Sequence, residues 1–295
     1  MEWQQIIGFY QLVTQGSFTR AAYASYRTQS ALSQQIRKLE DEFQCQLINR
    51  ISRKKFTLTP AGERLYTFAA SVLGEYDTVV DDILAIRGLP RGKLKIAAPF
   101  TTLYHLFPEQ FRSFLEIFPY VELTIFDRPQ NQAVEMVRAG EIDMAIVLES
   151  HATKDLDIRR WKQVETVLIV PDKHPLLKVK EKTLADIVGY PLILPPKSTE
   201  SRRFFEKLCE AEGLRCRVIM ESGNVELSSR YVEAGIGISF ASIVSGLNPL
   251  RGRKIKFLPL TEYFMPDYLA VVSRKGNHLP AYAENFITLI MGNGT

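Results

Sequence analysis

From Gly92 onward the sequence alternates between short apolar runs typical of strands and longer amphipathic runs typical of helices. Alternation of this kind predicts an α/β fold with largely parallel sheets, and it constrains the last two thirds of the chain. Strands are predicted at 94–98, 121–126, 143–148, 166–170, 192–194, 218–220, 236–240 and 268–273, and helices at 102–118, 132–139, 199–212, 225–234 and 282–291.

The overall composition is that of an ordinary globular protein. The chain has 295 residues, room for two or three domains, and its 46% hydrophobic and 24% charged residues exclude a disordered or fibrous protein. The longest uncharged run, 234–250, contains Ser, Asn and Pro and is too short for a spanning helix. Residues 1–5 lack the features of a secretion signal, and the three cysteines lack metal-ligand spacing. We therefore expect a cytoplasmic location, reduced thiols, no membrane contact, no metal and no cofactor.

The positive charge is concentrated at the start of the chain. Residues 1–60 hold eight basic and four acidic residues. Residues 61–90 hold two basic and five acidic residues, and the remainder holds 27 basic and 24 acidic residues. The formal charge of +4 therefore divides into +4, −3 and +3 for these three parts. This asymmetry predicts a small basic module joined to a larger, nearly neutral one, and the basic module is either a nucleic-acid-binding surface or simply a solvated charged face.

The first sixty residues predict three short helices. Apolar residues recur at helical spacing from Ile6 to Val13, and Gly16 ends that helix. Ser17 is a predicted N-cap of a second helix that ends near Ser25, and Thr28 is a predicted N-cap of a third that runs to about Phe43. A short helix, a tight turn and a further helix predict a helix-turn-helix, whose second helix enters the major groove of DNA.

The third helix has two distinct faces. Its apolar stripe consists of Leu32, Ile36, Leu39 and Phe43, at 4-3-4 spacing. Its polar face combines side chains that hydrogen-bond base edges and phosphates, namely Gln29, Ser30, Ser33, Gln34 and Arg37.

A basic hairpin is predicted after the third helix. Strand-like segments at 47–50 and 55–58 flank a turn at 51–54, although the turn has no glycine. Such a hairpin beside a recognition helix is a wing that contacts phosphates. The bases that we assign to it are Arg50, Arg53, Lys54 and Lys55.

These segments resemble the N-terminal domain of the LysR-type transcriptional regulators. The resemblance rests on Gly16–Ala22, Thr28–Ile36, Leu39–Glu40 and Leu58–Gly62, in the order and spacing of that family. It extends the DNA-facing set to Ser17, Thr19, Arg20 and Thr28. It also implies double-stranded DNA and RNA polymerase as partners, and a homodimer or homotetramer as the assembly.

The resemblance also implies a complete architecture. The expected fold is an N-terminal winged helix-turn-helix (1–59), a long linker helix (60–88) and an effector-binding domain (91–295). That domain is expected to contain two α/β subdomains that resemble periplasmic binding proteins. Subdomain I is expected at about 91–161 and 267–295, and subdomain II at about 162–266.

The linker helix has a long apolar stripe. Thr59 and Pro60 form a favoured helix start, and apolar residues then continue at 3-4 spacing from Leu65 to Ile86. An apolar stripe of this length needs a partner, which is either a second copy of the helix or the chain's own C-terminal part. A dimer is favoured because a two-fold reader doubles its DNA contacts.

Four segments that follow strands or precede helices form the predicted effector site. Ligands of open α/β sheets bind beyond the carboxyl ends of strands, where helix N-termini favour anions. The effector-binding residues that we predict are Thr101, Thr102, Arg128, Lys197, Ser198, Thr199 and Asn224. We expect them to bind a small polar or anionic metabolite. Arg128 either clamps a carboxylate of the ligand or narrows the cleft between the two subdomains. Simple N-capping is the alternative role of the Ser and Thr residues.

Other classes of protein are less consistent with the sequence. The four histidines are scattered, Gly237–Ala241 lacks the second glycine of a nucleophile elbow, and phosphate-binding loops are missing, so we expect no catalytic residues and no enzyme. A small-molecule-binding protein without a DNA-dependent role has no use for residues 1–60. A redox regulator acting through Cys209 and Cys216 is a further alternative, but their spacing does not obviously bring the thiols together.

Overall fold

The computed structural model describes residues 1–50, 56–86, 90–245, 250, 252–276 and 278–292. Its helices are α1 (Trp3–Gln15), α2 (Phe18–Ala24), α3 (Gln29–Phe43), α4 (Pro60–Ile86), α5 (Phe100–Leu106), α6 (Pro108–Ile117), α7 (Gln130–Ala139), α8 (Leu184–Val188), α9 (Glu200–Ala211), α10 (Val225–Glu233) and α11 (Ala281–Gly292). Its strands are β1 (Ile48–Arg50), β2 (Phe56–Leu58), β3 (Gly92–Ala98), β4 (Val121–Asp127), β5 (Met144–Leu148), β6 (Leu156–Pro171), β7 (Leu192–Leu194), β8 (Val218–Glu221), β9 (Ile238–Val244), β10 (Ile255–Pro259) and β11 (Asp267–Arg274).

Helices α1, α2 and α3 pack around one small core, as the sequence predicts. Gly16 ends α1 in the left-handed conformation at φ 60°, which a glycine adopts without steric cost. Leu32, Ile36 and Leu39 of the predicted apolar stripe are buried against Phe9 of α1. Phe43, the fourth member of that stripe, is 44% exposed because α3 extends past the core at its last turn.

Strands β1 and β2 form an antiparallel hairpin after α3. Ile48 pairs with Leu58, and the carboxylate of Glu40 accepts hydrogen bonds from the backbone N–H groups of Leu47 and Ile48. The predicted turn at 51–54, together with Lys55, lies outside the described residues. Helix α4 starts directly behind the hairpin, where a Cβ on Gly62 would lie 2.0 Å from the Leu47 carbonyl oxygen. Only glycine therefore permits this close approach.

Helix α4 is the long rod that the sequence predicts. Thr59 caps it, because its Oγ1 accepts a hydrogen bond from the Gly62 N–H and donates one to the Gln46 carbonyl. The helix has 27 residues and therefore extends about 40 Å. Most of its predicted apolar stripe is exposed in the single chain, and the large exposed members are Phe68, Tyr76, Val79, Val80, Ile83 and Ile86.

The rest of the chain is organised around one mixed sheet with the strand order β4-β3-β5-β11-β6-β9-β7-β8, and β10 pairs with β6. The sixteen-residue strand β6 lies at its centre. Residues 156–164 of β6 pair with β11, and residues 164–171 pair with β9 and β10. Two separate sets of hydrophobic clusters flank these two parts of β6. We call them the first lobe (β3, β4, β5, β11, α5–α7 and α11) and the second lobe (β7–β10 and α8–α10).

The expectation of largely parallel sheets is wrong. Pairings within β3, β4 and β5 and within β7, β8 and β9 are parallel, but β6 and β11 run antiparallel to all their partners. The reason is that these two strands carry the chain between the lobes and back. The predicted helix at 102–118 is two helices, because Pro108 lacks the N–H that would continue the first one. Strand β10 and the first half of β6 are not predicted, since their apolar patterns are weak.

Candidate functional site

The polar face of α3 is exposed in the structure. Gln29, Ser30, Gln34 and Arg37 are exposed and Ser33 is half-buried, while the buried residues of α3 lie on the other side. Positions three and four apart share a face of a helix, so these five side chains form one surface. We call this set the recognition face. It presents amide, hydroxyl and guanidinium groups on a rigid element, as direct reading of base edges requires.

Thr28 supports the recognition face from its N-terminal end. Its Oγ1 accepts a hydrogen bond from the Ala31 N–H at 3.2 Å, which confirms the predicted cap, and lies 3.0 Å from the Ser30 hydroxyl. The cap therefore also fixes the side chain of a recognition-face residue.

The predicted residues on α2 lie at its first turn. Thr19 and Arg20 are exposed and Ser17 is half-buried. Ser17 occupies the predicted N-cap position with an extended backbone, which confirms the start of α2, but its hydroxyl makes no capping hydrogen bond. In the wing, Arg50 ends β1 opposite Phe56. The side chain of Arg50 and the residues Arg53, Lys54 and Lys55 lie outside the described part of the chain.

Sequence reasoning missed two contacts that position the DNA-binding module. Glu40 holds the start of the wing against α3, and its place in the Leu39–Glu40 motif is the signal that points to it. Arg27 lies in the tight turn, and its Nη2 donates to the Gln4 side chain of α1 at 3.1 Å. This bond connects the turn to α1.

The predicted effector residues of the first lobe lie at the carboxyl end of β3. Thr101 and Thr102 occupy the first turn of α5 and are half-buried. Their backbone N–H groups belong to the helix start, where hydrogen-bonding partners within the helix are missing. This is a place where a polar or anionic group binds favourably.

The second lobe contributes the starts of α9 and α10. Thr199 precedes α9, and its hydroxyl donates to the Pro196 carbonyl at 2.8 Å, while Ser198 is exposed. The Asn224 Oδ1 accepts from the Leu227 N–H at 3.0 Å. Asn224 therefore caps α10, whereas Thr199 occupies the N-cap position of α9 without a capping hydrogen bond and bonds within its own loop.

Arg128 and Lys197 lie beside depressions that each involve a single lobe. The Arg128 guanidinium lies 5.8 Å from the Phe126 ring centre and donates to the Asp127 carbonyl, and it borders a shallow depression with residues of α7. Lys197 is exposed beside residues of β8 and the buried Arg202. Arg128 nevertheless follows β4 at the sheet edge where α5 begins, because its backbone N–H donates to the Ala98 carbonyl at 3.1 Å.

Two histidine–glutamate pairs join the lobes, and sequence reasoning did not single them out. His105 of α5 lies 2.6 Å from Glu226 in the first turn of α10. His151 of the short 3₁₀ helix after β5 lies 3.9 Å from Glu200 in the first turn of α9. These contacts place the starts of α9 and α10 opposite the first lobe. We call the space between α5 and the N-terminal turns of α9 and α10 the interlobe cleft.

The two cysteines of the second lobe are neighbours, contrary to the expectation from their spacing. Cys209 is buried, and its thiol is hydrogen-bonded to that of the half-buried Cys216. Burial, with a smaller contribution from Cys216, raises the pKa of the Cys209 thiol to about 12. A thiol that stays protonated is a poor nucleophile and a slow target for oxidants.

A polar junction attaches the linker helix to the first lobe. Burial raises the pKa of the Asp77 and Asp81 carboxyl groups of α4 and of the Asp143 carboxyl that precedes β5. Burial also lowers the pKa of the Arg274 guanidinium and raises that of the Tyr282 hydroxyl. These five side chains are called the linker junction below.

The described parts of the chain also bear on two further classes of site. Within them, no group of His, Cys, Asp and Glu side chains is arranged to hold a metal ion. No helix in those same ranges is long and apolar enough to cross a bilayer.

Comparison with known families accounts for nearly the whole chain. Residues 3–63 match the bacterial regulatory helix-turn-helix protein model of the lysR family, and residues 87–294 match the LysR substrate binding domain. The chain belongs to the LysR family of transcriptional regulators. It is a DNA-binding regulator with an effector-binding domain, and its relatives are named as regulators and not as enzymes.

Curated relatives align over almost their full length. The chain is 28% identical to the HTH-type transcriptional regulator CysB of Burkholderia cenocepacia, over 93% of this chain and 88% of the relative. It is 27% identical to the HTH-type transcriptional regulator CysL of Bacillus subtilis, over 97% of this chain and 95% of the relative.

Solved structures show the same fold. A variant of full-length OxyR from Pseudomonas aeruginosa superposes with a TM-score of 0.76 at 22% identity, covering 99% of this chain and 94% of that one. The LysR family regulator CbnR superposes with a TM-score of 0.62 at 21% identity and full coverage of both chains. CbnR is also known in complex with its target DNA.

Proposed function

We propose that this regulator is controlled by a small polar or anionic metabolite that binds in the interlobe cleft. The observation that carries the proposal is that the N-terminal turns of α9 and α10 lie against the first lobe, at His151 and at His105. A ligand held by N–H groups of both lobes stabilises their closed arrangement. Thr101, Thr102, Ser198 and Thr199 supply hydroxyl groups at this place.

The exposed recognition face supports a division of labour in DNA binding. The face formed by Gln29, Ser30, Ser33, Gln34 and Arg37 contacts bases and neighbouring phosphates. Thr19 and Arg20, at the exposed start of α2, contact the backbone. The basic residues of the wing, Arg50, Arg53, Lys54 and Lys55, contact mainly phosphates, which position the protein without reading sequence.

The exposed stripe of α4 supports a homodimer. Val79, Ile83 and Ile86 are 56%, 53% and 85% exposed on a helix that otherwise packs on α1 and α7. The chain's own C-terminal part therefore does not cover the stripe, and a second copy of α4 fits its length and chemistry. Such a dimer, or a homotetramer of two dimers, reads a two-fold DNA site.

Control of transcription follows from these parts. Effector binding changes the relative position of the two lobes, and the linker junction passes that change to α4. The spacing of the two DNA-binding modules then changes, together with DNA bending and contact with RNA polymerase. We place this activity in the cytoplasm, where the DNA is found. The domain limits that we propose are 1–59, 60–88 and 91–295, with the lobes as the two subdomains.

Calorimetry with a metabolite panel tests the effector proposal. At least one small polar or anionic compound is expected to bind the wild-type protein. The double variant Thr102→Val, Ser198→Ala is expected to bind it at least tenfold more weakly, because two hydroxyl partners are lost. Thr67→Val, on an exposed position of α4, is the matched control. Unchanged affinity in the double variant would place the ligand elsewhere.

Redox control is the competing proposal, and one observation bears on it. The thiols of Cys209 and Cys216 are in contact, as a disulfide would need, but the raised pKa of Cys209 disfavours the thiolate. We therefore favour the metabolite. A Cys45, Cys209 and Cys216 to Ser triple variant that keeps its DNA binding and effector response would exclude the redox alternative.

A further inference from the structure

The pair formed by His105 and Glu226 is a contact between the two lobes. The His105 Nε2 and the Glu226 Oε1 are 2.6 Å apart, and the two side chains are only 15% and 25% exposed. A charge-assisted hydrogen bond of this length is considerably stronger than one between exposed, hydrated groups. The bond holds the start of α10 against the end of α5, and we call this arrangement of the two lobes the closed arrangement.

Permanent charges surround the Glu226 carboxylate. Arg253, which precedes β10, places its Nη1 3.5 Å from the other oxygen of Glu226. The same guanidinium binds Glu233, which Arg230 also contacts. Arg253 belongs to the second lobe and moves with Glu226, so this ion pair is kept whether the cleft is open or closed. Among the described residues, Glu226 pairs with Arg253 of its own lobe and with His105 of the first lobe.

The second pair also joins a histidine of the first lobe to a glutamate of the second lobe. His151 of the first lobe faces Glu200 at 3.9 Å, and the two side chains are 17% and 66% exposed. Its neighbour Ser150 donates to Asp267 at the start of β11 and lies 3.3 Å from the His151 Nδ1. The other charges nearby, Glu149 and Arg160, are paired with each other. In both pairs the histidine therefore comes from the first lobe and the carboxylate from the first turn of a second-lobe helix.

We propose that these two pairs form a protonation-dependent latch that holds the interlobe cleft closed. Imidazole is the side chain that gains or loses its charge between about pH 5 and 8. Protonated histidines attract Glu226 and Glu200 and favour closure, whereas neutral histidines leave each bridge with a single charge. The latch couples the pH of the cytoplasm to the arrangement that the effector also stabilises. This inference rests on the proposed effector function, because it concerns the regulation of the same cleft.

Distance measurements without effector test the latch independently of any metabolite. Spin labels are attached to p-acetylphenylalanine that replaces the exposed residues Glu116 of α6 and Lys207 of α9, which leaves the native cysteines untouched. The labelled protein is diluted with unlabelled chains, and double electron–electron resonance gives the distance within one chain. On raising the pH from 6 to 8, the ratio of closed to open molecules is expected to fall about tenfold, as for the loss of one bond to a charged group.

Four variants decide between the latch and other causes. His105→Gln combined with His151→Gln is expected to give the open distribution at both pH values. His105→Lys keeps a positive charge and is expected to retain the closed population at pH 8. His278→Gln removes an exposed histidine that contacts Asp82 of α4 and is expected to behave as wild type. Glu210→Gln, which removes an exposed carboxylate near the other end of α9, is expected to keep the pH response.

The result that overturns the proposal is equally specific. It is a distance distribution that is the same at pH 6 and 8 and is unchanged in the double histidine variant. An equal shift in His278→Gln would also overturn it, because the pH response would then not come from the cleft. Because no effector is added, these outcomes are separate from a failure to find a metabolite that binds.

Discussion

Tyr282 donates its phenolic hydrogen to the Oδ2 atom of Asp81 at 2.6 Å, which joins the last helix of the chain to the linker helix. The same hydroxyl oxygen lies 3.2 Å from the Lys93 carbonyl. Gly92 lies directly beside the bond, and a Cβ there would be 2.5 Å from both the Asp81 carboxylate and the Tyr282 oxygen. The first lobe and the linker helix are therefore fixed to each other at a point where no side chain fits.

We expect Tyr282→Phe to destabilise the linker junction. The variant keeps the ring but leaves the half-buried Asp81 carboxylate without this donor, at a cost of about 1–2 kcal/mol. Burial already raises the pKa of Asp81, and loss of the bond raises it further. The loss in free energy of unfolding is therefore expected to grow as the pH rises above the ordinary carboxyl pKa of 3.8. Urea unfolding at pH 4 and 7 measures it, with the exposed Tyr120→Phe as a control.

The free energy of unfolding of Asp143→Asn, relative to that of the wild-type protein, is expected to increase as the pH rises. Burial raises the pKa of Asp143, against smaller opposing effects of the Lys95 backbone, the Lys95 charge and Arg274. A raised folded-state pKa means that stability is lost between 3.8 and that higher value as the group ionises. Asparagine has no charge to bury, and its Oδ1 still accepts from the Lys95 N–H. If Asp143→Asn loses more free energy of unfolding, relative to the wild-type protein, at pH 7 than at pH 4, this account is contradicted.

Ile83→Lys is expected to convert the dimer to a monomer. Ile83 is 53% exposed in the stripe of α4, and a charge there would face the second copy. Sedimentation equilibrium should show a rise of at least tenfold in the dimer dissociation constant. Thr67→Lys adds the same charge on the opposite side of α4 and is expected to leave the dimer intact. Equal effects of the two variants would remove the stripe from the interface.

Arg53→Ala and Gln34→Ala are expected to differ in kind. Arg53→Ala should weaken binding about equally on all sequences and reduce the salt slope of log K by roughly one unit, since one phosphate contact is lost. Gln34→Ala should change the preferred sequence at a defined position, because a base contact is lost. Binding to a randomised operator library at several salt concentrations separates the two effects. If both variants behave alike, the division between recognition face and wing is incorrect.

Much of the DNA-binding module could be predicted from the sequence because its determinants are local. The spacing of Leu32, Ile36 and Leu39 fixes the buried face of α3, and Gly16 and Thr28 mark where helices end and begin. Phe43 shows the limit of this reasoning, since periodicity does not tell where the neighbouring helices stop.

The cleft was less predictable because its contacts join residues far apart in the chain. His105 and Glu226 are separated by 121 positions, and only the path of β6 and β11 brings them together. The same crossing strands made the sheet mixed instead of largely parallel. Arg128 follows a strand end, as the predicted rule requires, but its guanidinium turns toward Phe126, and a side-chain direction of this kind depends on tertiary neighbours.

The most direct test of the account is a footprint of the full-length protein on a selected operator, titrated with a metabolite that binds it by calorimetry. We predict that the metabolite changes the length of the protected DNA or its affinity in the wild-type protein. The change should be lost in Thr102→Val, Ser198→Ala at the same metabolite concentration. A metabolite that occupies the cleft while both footprint and affinity stay constant would contradict the account.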